Sequence, residues 1–184
     1  HLAHFRSLFE AAYEEHLWAR CAASDWLASY APDADNGLAA LNQAMATRDD
    51  ESAVALVPGL AQALVRRHAD RFSTWQRTEP LLRETLAARC RARWQLGFAQ
   101  FWGVNSMQRS HPHARDAATL FRAEGQAAGE YRAQAILATS LAMGTLEGAD
   151  AAIARMRELE GPDWPADLRF LRRWAEATRL AENG

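Results

Sequence analysis

The chain has 184 residues, 49% of them hydrophobic and 24% charged, with a formal net charge of −2. That length suits one domain able to bury roughly 70% of its unfolded surface, and the composition excludes low-complexity or disordered character. The slight acidity gives no long-range attraction to nucleic acid or an anionic membrane, and no apolar run reaches the roughly 18 residues of a membrane-spanning helix.

Alanine, leucine, arginine and glutamate dominate and β-branched residues are scarce, a bias toward helix. Leu2, Phe5, Phe9, Tyr13 and Leu17 recur every three or four positions, which predicts a first helix of about four turns. Ser24 is a candidate N-cap for a short helix with Trp26, Leu27 and Tyr30, stopped near Pro32. Asp33 or Asp35 then caps a helix with Leu38, Leu41 and Met45 on one face, and Arg48-Asp49-Asp50 forms a turn. Val54, Val57, Leu60, Leu64 and His68 mark the next helix, with Pro58 as a kink or a true start. Ser73 is expected to cap a helix through Trp75, Leu82 and Leu86.

Cys90, Trp94, Phe98 and Phe101 form the strongest aromatic stripe of the chain. Gly103 to Pro112 is the longest stretch without helical periodicity, and is expected to be an irregular loop. A helix with Ala117, Phe121 and Glu124 ends at Gly125, and Gly129 opens another with Ala133, Leu137 and Leu141. After a turn over Gly144–Gly148 comes a helix bearing Ala149, Ala152, Ile153, Met156 and Leu159. Gly161-Pro162 stops it, and Pro165 starts a last helix with Leu168, Leu171 and Trp174. No alternating strand pattern is present.

The expected fold is all-α. Antiparallel helix pairs stack as a right-handed α-solenoid like that of tetratricopeptide repeats, because the start of a pair recurs from Trp94 to Tyr131 after roughly 37 residues, close to the ~34 of that repeat. The reading is one helical-repeat domain over 1–184, with an N-terminal helical layer in 1–86 and degenerate helix pairs in 87–184. Because the chain begins with His1 and enters a helix at once, it is expected to be excised from a larger polypeptide.

Chemistry is sparse. All 21 basic residues are arginine, so a phosphate-loop, Schiff-base or general-base lysine is absent. Cys21 and Cys90 lie in helical patterns and read as buried thiols of a reducing cytoplasm. His111-Pro112-His113 is the one close histidine pair, without a third ligand placed by spacing; Asp116 reads as a first-turn acid of the next helix. Glu14-Glu15-His16, Asp49-Asp50-Glu51 and the arginine groups (Arg66-Arg67, Arg172-Arg173, and Arg89, Arg91, Arg93) read as solvated faces. No metal, cofactor or catalytic residue is assigned, and the chain is not expected to be an enzyme. Trp94, Phe98, Phe101 and Trp102 are the candidate ligand pocket, weighed against an ordinary core stripe.

Asp25-Trp26-Leu27-Ala28-Ser29-Tyr30-Ala31-Pro32-Asp33-Ala34-Asp35-Asn36, followed by Ala39-Ala40-Leu41, resembles the start of the C-terminal helical region in bacterial winged-helix transcriptional regulators that carry a signal-transduction ATPase module. The preceding Phe5–Phe9 helix and the acidic turn at Arg48-Asp49-Asp50 follow the same order, and Leu159 to Pro165 is similar in flavour. The resemblance covers most of 1–86 in order and spacing and the remainder in pattern; Gly37 departs from it, standing where the family has leucine. It implies a cytoplasmic sensor or scaffold domain that binds a protein partner or other domains of the same polypeptide, without direct contact to nucleic acid or membrane. The alternative is a helical receptor for a small-molecule effector. No active-site residue of the family falls in the resembling segment.

A chain with neither lysine nor a glycine-rich phosphate loop has nothing to cradle a triphosphate. Calorimetric titration with Mg-ATP is expected to give no binding heat, and micromolar affinity would overturn this reading.

Overall fold

The computed structural model describes residues 1–103, 106–143 and 147–181. Among them the chain is all-α without a strand, and consecutive helices pack as antiparallel pairs. The order is α1 (Leu2–Trp18), α2 (Ala23–Tyr30), α3 (Ala34–Ala46), α4 (Asp50–Ala63), α5 (His68–Thr78), α6 (Ala88–Gly103), α7 (Met107–Ala123), α8 (Ala127–Met143), α9 (Ala149–Leu159) and α10 (Ala166–Ala181). Two compact units result, His1–Trp94 and Gln95–Gly184. The division falls inside α6, later than the 86/87 boundary expected from the periodicity.

In the first unit, α1 buries the expected stripe of Phe5, Phe9, Tyr13 and Leu17, with Ala12 between them. The chain leaves α1 through Ala19 in the left-handed region (φ 48°), and Cys21 in the link that follows is exposed while Cys90 is buried. The expectation of two buried thiols therefore fails at Cys21, which lies beyond the helix that would have covered it. Ala22, not Ser24, is the N-cap of α2; the Ser24 hydroxyl donates to the neighbouring Asp25 carboxylate. Trp26 fastens α2 to α1 by donating its indole N–H to the Ala12 carbonyl at 2.8 Å.

Asp33 occupies the N-cap position of α3 and accepts from the Asn36 side chain. The acidic turn also has a capping role: Asp49 accepts from the Ser52 N–H at 3.0 Å, satisfying one of the orphan donors at the start of α4. Hydrogen bonds from Ser52 hold the Asp49 carboxyl below the ordinary aspartate value. The α4 helix is buried from Ser52 through Ala61, as the central element of its unit. It runs uninterrupted through Pro58, so that proline does not mark its start, and His68 belongs to α5. Ser73 lies inside α5 instead of capping it, and Leu82 and Leu86 lie beyond its end. Pro80 sits in a 3-10 turn at Glu79–Leu81; proline has no N–H to continue the helical hydrogen-bond ladder, and the chain becomes extended at Leu82.

Glycine lets α1 meet its neighbours. A Cβ on Gly59 would stand 2.2 Å from the Phe9 carbonyl oxygen, so the backbones of α1 and α4 touch there. A Cβ on Gly37 would stand 2.4 Å from the Phe9 ring and 2.7 Å from Leu60. The position where the chain departs from its family resemblance is thus filled by the side chain of another helix.

In the second unit, the expected irregular stretch Gly103–Pro112 is mostly helix. Ser106, in extended conformation, precedes α7, and Pro112 lies inside it; Val104 and Asn105 fall outside the described residues. Ser110, read as a loop residue, is fully buried and donates to the Ala99 carbonyl at 3.0 Å, so this apparently polar stretch carries a packing face. Asp116 is mid-helix and exposed, not a first-turn acid. Gly125 ends α7 as expected, with φ 65°, and the Gln126 N–H bonds the Phe121 carbonyl at 2.9 Å, the pattern of a glycine-closed helix terminus.

Gly129 does not open α8 but lies in its first turn, where a Cβ would stand 2.5 Å from the Phe121 ring. The helix α8 is buried on nearly every side, consistent with a sequence almost free of charge beyond its first turn. Of the expected turn at Gly144–Gly148, residues 144–146 lie outside the described residues; Gly148 has φ 108°. On α9, Ala149, Ala152, Ile153 and Met156 are buried and Ala154 is exposed, the register expected from spacing. Pro165 directly precedes α10. The stripe on α10 is only partly a core: Leu168 is buried, whereas Trp174 is 56% exposed.

Gly59→Ala tests whether close approach outweighs helix propensity. Alanine favours a helix interior by roughly 1 kcal/mol over glycine, yet the added Cβ meets backbone, which cannot swing aside. Urea unfolding is expected to show a net loss of roughly 1–3 kcal/mol. A gain in stability would mean that α1 and α4 do not touch at this point.

Candidate functional site

The second unit holds a cavity of about 250 Å³ lined by α6, α7, α8 and α10. The α8 helix supplies one wall through Arg132, Ile136, Thr139 and Met143, spaced three or four apart and hence on one face. Facing them are Met107 and Ser110 of α7, Leu171 and Trp174 of α10, and Gln100 of α6. Among the described lining residues Arg132 is the one charged side chain and none is a carboxylate. The two serine hydroxyls of the lining are turned into the fold: Ser110 donates to the Ala99 carbonyl and Ser140 to the Leu137 carbonyl at 3.1 Å.

The opposite side of α8 is clamped by ion pairs. Glu130 is 2% exposed and accepts from Arg122 at 2.8 Å and from Arg155 at 2.8 and 3.0 Å, joining α7, α8 and α9. Burial pushes its carboxyl up, but the hydrogen bonds from Arg155 and Arg122 outweigh burial and leave it below the ordinary glutamate value of 4.5. One turn-face away, Tyr131 donates its hydroxyl to Glu160 at 2.8 Å. Arg172 of α10 donates to the same carboxylate at 2.8 Å and to Glu176 at 2.8 Å. Hydrogen bonds from Arg172 hold the Glu160 carboxyl low; burial pushes the Tyr131 hydroxyl well above its ordinary value, with the Glu160 charge acting in the same direction. These pairs set α10 against α8 and so hold the cavity wall formed by Leu171 and Trp174.

The four aromatics singled out from the sequence are not brought together around this cavity. Trp94 belongs to the first unit, where its fully buried ring meets Trp75 edge-on at 5.2 Å and donates to the Thr78 hydroxyl at 2.9 Å. Phe98, Phe101 and Trp102 belong to the second unit: Phe98 meets His113 edge-on at 4.6 Å, Phe101 meets Trp102 at 5.2 Å, and Arg109 lies over the Trp102 ring at 4.7 Å. None of the four lines the cavity. The lining residues Arg132, Ile136 and Met143 carry no aromatic signal; what marks them in the sequence is a second apolar face on α8, opposite the one that packs on α9.

The histidine pair sits on α7, not in a loop, with His113 bonded to the Gln95 side chain. Among the described residues no three His, Cys, Asp or Glu side chains group as a metal site, and no helix is long and apolar enough to cross a membrane. Arg93, read as solvated, is only 5% exposed and pairs with Glu14 of α1, which also meets Arg89 at 3.4 Å. Arg66 and Arg67 are exposed as expected. Compared with protein families, curated proteins and solved structures, the chain matches none.

A carboxyl held low in the fold contributes stability that is complete above its unfolded value and is lost as pH falls through the folded one. The urea midpoint of the wild type is therefore expected to be level from pH 7 to near 5.5 and to fall below about pH 4.5, where glutamates titrate. Glu130→Gln is expected to cost roughly 1–3 kcal/mol at pH 7 and to flatten the acid limb. An unchanged acid limb would show that the clamp on α8 contributes nothing.

Proposed function

We propose that the chain is a non-catalytic sensor or scaffold domain of a transcriptional regulator, acting in the cytoplasm by binding a protein partner or other parts of its own polypeptide. The regulator context rests on the resemblance of residues 25–41 and their flanks. On this reading α6–α7 and α8–α9 are degenerate tetratricopeptide-like pairs, and α10 stacks on α8 as the first helix of a further pair would, in the manner of a right-handed solenoid.

One observation carries the binding role. Phe170 and Trp174, one turn apart on α10, are each 56% exposed, and Phe170 lies about 200° around the helix from buried Leu168. Two large aromatics in that place suit an interaction surface, where aromatic side chains are enriched.

Phe170→Gln removes half of that pair on the exposed side, keeps a good helix former and is expected to leave the urea midpoint within roughly 0.5 kcal/mol of wild type. Proteins captured from a bacterial lysate by the wild type are to be purified and titrated against both forms. The expected result is a partner with a winged-helix or ATPase module whose affinity drops at least tenfold with Phe170→Gln. Equal affinity for both forms, or no purified partner that binds, would overturn the proposal.

A further inference from the structure

We propose that the outward face of α10 docks an amphipathic helix of about four turns, whose apolar seam carries a carboxylate opposite Arg173. This rests on the docking role read above from Phe170, and gives that face a partner of defined chemistry.

The spacing of the face is that of a helix-pairing seam. Ala166, Phe170, Arg173, Ala177 and Leu180 are all exposed, and they follow one another at four, three, four and three residues. That is the coiled-coil repeat, and it gathers them within about 80° of arc along roughly 21 Å of helix. The far side of α10 buries Leu168 and Ala175, so the helix has two apolar faces and one of them is uncovered. Among the described residues the first unit exposes no large hydrophobic side chain, whereas Leu180 is 72% exposed beside the half-exposed Phe170. Contiguous apolar surface of this kind marks an interaction site, and a straight stripe of four turns suits a helix laid along it.

Charge selects the partner. Arg172 donates to Glu160 and Glu176, and Arg179 to Asp150, but Arg173 makes no hydrogen bond or ion pair among the described residues. Its neighbour one turn on, Glu176, already accepts from Arg157 and Arg172. Asp167, also exposed, stands about 120° round the helix from Arg173. A guanidinium midway along an apolar seam loses its hydration when a helix covers it, which is costly unless a carboxylate meets it. Glutamate or aspartate opposite Arg173 supplies a planar, two-oxygen acceptor for that fork, and one polar pair in a seam also fixes its register. A second copy of this helix does not answer. Arg173 lies at the middle of the stripe from Ala166 to Leu180, so two fully overlapping copies of α10, parallel or antiparallel, set Arg173 against Arg173.

Two labelled synthetic peptides test this on the whole chain by fluorescence anisotropy. Both are four-turn helices, stapled on their outer side, with the same leucine seam; they differ only at its central position, glutamate in one and lysine in the other. A central residue faces Arg173 in either orientation. The wild type is expected to bind the glutamate peptide at least fivefold more tightly than the lysine peptide. Arg173→Glu is expected to reverse that order, and Phe170→Gln to weaken both. Equal affinity, a preference for lysine, an order unchanged by Arg173→Glu, or no micromolar binding of either peptide would each overturn the proposal. So would a wild-type dimer in sedimentation that Phe170→Gln dissolves. The wild-type comparison stands even if a variant does not fold. A captured partner lost with Phe170→Gln yet indifferent to Arg173→Glu would overturn the carboxylate assignment and leave the docking role intact; failure of the docking role shows instead as equal partner affinity for wild type and Phe170→Gln.

Discussion

Each unit is organised around a phenylalanine seated against helical glycine. In the first unit Phe9 is held between Gly59, where a Cβ would stand 2.2 Å from its carbonyl oxygen, and Gly37, which faces its ring. In the second, Phe121 lies against Gly129. A glycine inside a helix sacrifices about 1 kcal/mol of propensity against alanine. That sacrifice is offset because the helix axes come closer and a fully buried ring fills the space. With α1 lodged against α4 the rest of the first unit follows, since α4 is the buried helix on which α3 and α5 also pack. With α7 lodged against α8, the second unit has its own central helix.

Electrostatics then lock what packing places. With arginine as the sole basic side chain beside histidine, each of these clamps uses a planar fork able to hold a carboxylate through two or more hydrogen bonds. Glu130 and Glu160 are each reached from more than one helix, so α7 to α10 share a connected set of charge-assisted bonds. The opposite side of α8 is left to the mostly apolar lining of the cavity.

The docking face and the cavity meet on one helix. A molecule held in the cavity would touch Leu171 and Trp174 of α10, and α10 is also the helix that displays Phe170. A ligand acts on such an element only through its different affinity for the element's alternative arrangements.

How far the residues alone reach differs from element to element. The helical class, the stripe on α1, the Gly125 terminus and the α9 register with Ala152 buried and Ala154 exposed were legible, because they rest on local periodicity and turn chemistry. Four features were not. Ser73 and Ser24 look like caps, but α5 already begins at His68 and α2 at Ala23, so each serine lies inside a helix. Gly103–Pro112 looks irregular because proline and serine disfavour helix, yet Ser110 finds a carbonyl on another helix and α7 forms through Pro112. The aromatic stripe on α6 is divided: Trp94 completes the core of the first unit and the remaining aromatics pack in the second. The cavity has no local signature at all, since Arg132, Met107 and Trp174 come from three helices far apart in the chain. The sequence by itself determined that this protein is built of helices and where most of them turn, because hydrogen bonding and apolar spacing act within a few residues. Only the tertiary structure decided which faces became core, clamp or cavity, because that depends on how closely glycine lets separate helices approach.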